Sequence, residues 1–83
     1  MAHVSVVLAD ACHARPASRI AQIALEHPGT LTLTRQGALA VDASSVLALM
    51  AADFRADETL RIDATGPGAD VAAAAVAAIL TAG

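Results

Sequence analysis

The sequence predicts a two-layer α+β domain, with helices on one side of a mostly antiparallel sheet, in the order βαββαβα. Three observations predict it. Apolar and polar residues alternate strictly over Thr30–Thr34 and again over Leu60–Thr65, the period of a half-buried strand. Apolar residues recur at helical spacing over Ala17–Leu25 and again from Asp70 onward. Between these segments stand His27-Pro28-Gly29 and Gly66-Pro67-Gly68, which neither a helix nor a strand continues through.

Each element has its own signal. Val4–Leu8 is short, apolar and rich in β-branched residues, and reads as the first strand. Ala17–Leu25 places Ile20, Ala21, Ala24 and Leu25 on one helical face, opposite Ser18, Arg19 and Gln22. Thr30–Thr34 is the second strand. Gln36-Gly37 signals a turn, and Ala38–Val41 reads as the return strand, with Leu39 and Val41 on one face. Ser44 and Ser45 precede a short helix over Val46–Met50 and offer it a cap. Asp57-Glu58 opens the last strand, where Leu60, Ile62 and Ala64 share a face. The final helix is alanine-rich, with Asp70 near its positive end and Val76, Ile79 and Leu80 as its apolar stripe.

Length and composition bound the function. A chain of 83 residues is one domain, 1–83. The net charge is -3, with eight acids and five arginines and no lysine. That balance, with a single phenylalanine, argues against a nucleic-acid partner, which would want basic patches and stacking platforms. The longest apolar run, Val71–Leu80, is about half of what a membrane span needs, so no membrane insertion is expected. The start of the chain lacks the pattern of a signal peptide, and a cytoplasmic protein is expected. One cysteine, Cys12, cannot form an internal disulfide.

The strongest local feature is Cys12-His13-Ala14-Arg15-Pro16-Ala17, where a strand gives way to a helix. Proline suits a first helical turn, because the N–H it lacks would have no partner there. The open N–H groups of that turn, with those of Ala14 and Arg15 nearest to His13, make an anion site. Arg15 adds a fixed charge and a planar fork of donors suited to phosphate. Imidazole is nucleophilic near neutral pH, so His13 in such a nest can carry a phosphoryl group. A histidine alone at such a junction is ordinarily a polar surface residue. Arg15 and Pro16 point beyond that, and the residues by themselves leave a static anion site open as well.

At these residues the chain resembles the HPr family, the phosphocarriers of the bacterial phosphoenolpyruvate-dependent sugar phosphotransferase system. The family pattern is Gly-aliphatic-His-Ala-Arg-Pro-Ala, and His13–Ala17 matches its last five positions. Length, element order and the Ser-Ser-Val-Leu segment at residues 44–47 extend the resemblance over nearly the whole chain. It implies an open-faced sandwich, a four-stranded antiparallel sheet covered by three helices. It implies that enzyme I phosphorylates His13 at Nδ1, that Arg15 contacts the phosphate, and that enzyme IIA proteins receive the group for sugar uptake. Such a protein is a stoichiometric carrier rather than a turnover enzyme and is expected to be a monomer, with neither metal nor organic cofactor. A serine kinase or phosphorylase acting at Ser45, the position of the family's regulatory serine, is a further implied partner.

The chain departs from the family in several places. Ala11 stands where glycine is frequent, and Cys12 replaces an aliphatic residue, which fits a small apolar substitute better than a redox thiol. The lysine before the regulatory serine is Ser44 here, so Ser44 or Ser45 reads equally as a plain helix cap. Two turn glycines are replaced by Asp53 and Asp57, a residue type that tolerates left-handed backbone. Val46, Leu47, Leu49 and Met50 form the expected docking patch, with some of them turned to the core. His3 and His27 lack metal-ligand spacing and read as ordinary surface residues. Two other functions stay open: phosphodonor to a dihydroxyacetone kinase or a nitrogen-regulatory branch, and a binding module governed by its phosphorylation state.

Overall fold

The structure, a computed structural model, describes residues 1–82. Its elements are β1 (Ala2–Val7), α1 (Ala14–Glu26), β2 (Leu31–Arg35), β3 (Val41–Asp42), α2 (Val46–Ala51), β4 (Thr59–Ala64) and α3 (Ala69–Ala82). The strands form one antiparallel sheet in the order β1-β4-β2-β3. The predicted order βαββαβα and the four-stranded open sheet with three helices are both observed.

Period-2 alternation sets the two faces of the sheet. In β4, Leu60, Ile62 and Ala64 are fully buried while Arg61 points to solvent. Val4 pairs with Ile62 and Leu33 pairs with Ile62 on its other side, so one apolar row crosses three strands. Ile20, Ala17 and Ala24 of α1 and Ala73, Val76 and Leu80 of α3 share one core with Leu33 and Ile62 of that row, while Val4, on the edge strand, is 36% exposed. Phe54, the one aromatic residue, is the largest fully buried side chain and sits in the α2–β4 loop.

Several boundaries differ from the sequence expectation. Helix α1 begins at Ala14, three residues before Ala17, because Pro16 fits its first turn. Leu25 is 72% exposed rather than buried. The covered stripe runs Ala17, Ile20, Ala21, Ala24, and Leu25 lies about a quarter-turn from its centre, beyond its edge. The return strand is Val41–Asp42, not Ala38–Val41. Ala38 N–H donates to Arg35 O at 3.1 Å, which closes a turn over Gly37 (φ 78°). The chain then swings clear of the sheet, and Leu39 is exposed rather than sharing a buried face with Val41. Alanine has weak strand preference, and nothing lies beneath Leu39 to pack against.

His27 is also more than an ordinary surface residue. Its Nε2–H donates to Thr65 O at 2.6 Å, which ties the end of α1 to the end of β4. Gly29 makes this closeness possible: a Cβ there would lie 1.8 Å from Thr65 O. Asp53 (φ 53°) and Asp57 (φ 70°) both hold left-handed backbone, as expected for residues replacing turn glycines.

Candidate functional site

The site is built by the loop from Leu8 to His13. Leu8 leaves the sheet but keeps its place through Leu8 N–H to Glu58 O and Asp57 N–H to Leu8 O, both 2.9 Å. Ala9 N–H reaches Leu80 O of α3 at 3.1 Å, and Cys12 N–H reaches Phe54 O at 3.0 Å. Thus β4's approach, α3 and the core together fix a loop with no regular structure of its own.

His13 is the N-cap of α1, with extended backbone (φ -79°, ψ -177°). Its ring makes no cap hydrogen bond, and the residue is exposed. Its carbonyl accepts from Ala17 N–H at 3.0 Å. Pro16 has no N–H, so the amides of Ala14 and Arg15 are the ones left open at this helix end. His13, Ala14 and Arg15 therefore stand together at the start of α1, with the imidazole exposed.

These residues border an open cavity of about 270 Å³ between the start of α1 and the end of α3. Arg15 and Arg19 stand on the α1 side, and Ile79 closes the α3 side. The sequence places Arg19 simply on the polar face of α1, and the structure adds it to the wall of this cavity. The signal was available: Arg19 follows Arg15 by four residues, so both occupy one face of the helix.

Cys12 lies beside His13 but turns inward, 9% exposed. Burial pushes its thiol pKa up, so it lacks both the exposure and the thiolate character of a redox cysteine. It packs as the small apolar residue that was expected. Among the described residues, no group of three or more His, Cys, Asp or Glu is arranged to hold a metal ion, and no helix is long and apolar enough to cross a membrane.

At α2 the expected residues separate. Ser45 Oγ accepts from Ala48 N–H at 3.1 Å, so Ser45 is the cap. Ser44 instead donates to Asp42 Oδ1 from both its N–H (2.9 Å) and its hydroxyl (2.7 Å), and these bonds hold the Asp42 carboxylate below its ordinary pKa. Leu49 is buried, Val46 is half-buried, and Leu47 (82%) and Met50 (46%) face solvent.

The family model described as the PTS HPr component phosphorylation site matches residues 2–82. The chain belongs to the HPr family. It is a histidine-containing phosphocarrier of the phosphotransferase system. Solved structures agree in fold. A histidine-containing phosphocarrier protein of Mycoplasma is 26% identical, with a TM-score of 0.85, over 99% of this chain and 100% of that one. An HPr from Thermoanaerobacter tengcongensis is 21% identical, with a TM-score of 0.86, over 96% and 91%. A phosphocarrier protein HPr from Bacillus anthracis is 23% identical, with a TM-score of 0.79, over 96% of both chains. No curated protein matches this HPr-family chain by sequence.

Proposed function

We propose that His13 accepts a phosphoryl group from enzyme I, charged by phosphoenolpyruvate, and passes it to enzyme IIA proteins for sugar uptake. The observation that carries this is the exposed, uncommitted imidazole at the N-cap of α1, beside two open amides and Arg15. The Nδ1 lone pair attacks phosphorus, and the bond from phosphorus to the donor breaks. Transfer onward reverses the roles. The amides of Ala14 and Arg15 and the Arg15 guanidinium meet the charge that builds on the phosphoryl oxygens.

Partners dock beside His13 on the α2 surface made by Val46, Leu47 and Met50. The exposure of Leu47 and Met50 supports this, since large apolar side chains kept in water mark contact surfaces. Ser45, at the edge of that surface, is the residue a serine kinase and phosphorylase would address. The relay is assigned to the cytoplasm, and the chain acts as a monomer, as the family resemblance implies.

The test is incubation of the full chain with phosphoenolpyruvate and enzyme I, read by intact mass. One acid-labile phosphoryl group is expected, discharged when an enzyme IIA is added. No mass gain would overturn the reading. Discharge only onto a dihydroxyacetone kinase or a nitrogen-regulatory acceptor would replace sugar uptake with that branch.

A further inference from the structure

Arg19 has no part in the reading above. We infer that it is a second phosphate-contacting cation, which with Arg15 holds the phosphoryl group on His13. This rests on His13 being the phosphoryl carrier.

Charge pairing across the molecule isolates these two arginines. Arg35 holds Glu58, Arg55 holds Asp53 and Arg61 holds Asp63, at 2.8, 2.7 and 2.9 Å. Among the described residues, Arg15 and Arg19 hold no carboxylate. They are also the arginines that border the His13 cavity. Among the described residues, Asp10 is the one carboxylate on that wall, and its Oδ1 accepts from Ala11 N–H at 2.8 Å rather than from a guanidinium.

The placement of Arg19 is otherwise unfavourable. The first turn of α1 contains no acid, and Arg15 and Arg19 stand four apart on one face. Like charges at that spacing repel, and Arg15, in the first turn, also opposes the helix dipole. A helix shaped for stability alone would carry acids there. An anion in the cavity turns both effects around, because it attracts both guanidinia and the helix end. A phosphoryl group brings nearly two negative charges near neutral pH, which Arg15 and Arg19 together balance. Ile79 on the facing wall keeps that side of the cavity apolar, so the charges are less screened than on a flat surface.

The test uses phosphoramidate, a small phosphoryl donor that needs no enzyme I, and titrates the resulting phosphohistidine by phosphorus NMR. In Arg19→Gln the second pKa of the phosphoryl group is expected to rise by at least about 0.3 pH unit, and the rise should shrink with added salt. Arg19→Lys should stay close to wild type. Arg61→Gln, which removes the same charge from a strand in the sheet, should leave the titration unmoved. An Arg19→Gln titration that overlays wild type, or a shift that Arg61→Gln reproduces, would overturn the inference. If phosphoramidate fails to label His13 at all, the carrier reading falls and the inference with it; labelling without a shift removes Arg19 alone.

Discussion

The backbone N–H of Cys12 donates to the carbonyl oxygen of Phe54 at 3.0 Å. One end of that bond adjoins His13, and the other belongs to the largest buried side chain in the core. The carrier loop therefore takes its position from the α2–β4 loop, which turns through left-handed Asp53 and Asp57. Arg35 braces the same loop. Its guanidinium lies 4.9 Å from the centroid of the Phe54 ring, and it grips Glu58 with two bonds, of 2.8 and 3.0 Å.

Acid should loosen this brace. Hydrogen bonds from Arg35, and next from the Arg55 N–H, hold the Glu58 carboxyl below its ordinary value of 4.5. A carboxyl whose pKa is lower folded than unfolded contributes stability above the unfolded value, and loses it as pH falls through the folded value. The urea midpoint should thus hold steady from neutral pH to about 5 and decline below about 4.5. Glu58→Gln should start lower at neutral pH and decline less steeply. Parallel acid limbs for the two proteins would remove Glu58 from the account.

His13→Ala should abolish phosphoryl acceptance while leaving stability within about 0.5 kcal/mol, since the ring caps nothing and is exposed. Arg15→Ala should also fold normally. Its transfer rate should fall by an amount equivalent to roughly 2–4 kcal/mol of transition-state stabilisation. Stopped-flow or quenched-flow transfer from phosphorylated enzyme I measures it, and a wild-type rate would refute the role of Arg15.

Ser45 offers separable effects on fold and on transfer. Ser45→Ala removes the acceptor for Ala48 N–H and should cost about 0.5–2 kcal/mol. Ser45→Asp keeps an acceptor at the cap, so its melting temperature should stay near wild type. It should nevertheless slow phosphorylation of His13, because a carboxylate beside Leu47 and Met50 must be desolvated when a partner docks. Equal phosphorylation rates for Ser45→Asp and wild type would leave Ser45 as a helix cap alone.

Gly29→Ala should be among the costlier single-methyl changes in the protein. The added Cβ would meet the Thr65 carbonyl, a backbone group that cannot rotate away. That carbonyl also receives the His27 Nε2–H bond, so its displacement loosens that bond as well. A loss of about 1–3 kcal/mol in urea denaturation is expected. An unchanged midpoint would show that the α1–β2 turn can open without penalty.

The sequence by itself determined the element order and the family. Strict alternation at Thr30–Thr34 and Leu60–Thr65, and the His13–Ala17 string, are local signals that need no distant partner to be read. The same holds for Ser45 as a helix cap, since propensity is a property of the residue and its neighbours, whereas Asp53 and Asp57 stood out only against the family's turn glycines. Tertiary structure decided the rest. Leu25 and Leu39 are as apolar as Leu33 and Leu49, yet they face water because no second element passes over them. Whether Ser44 or Ser45 caps α2 depended on Asp42, which draws Ser44 away. The depth of Phe54, the brace from Arg35 to Glu58 and the cavity that unites Arg15 with Arg19 and Ile79 all join residues distant in sequence. Burial and ion pairing are properties of two surfaces meeting, and a linear pattern describes only one of them.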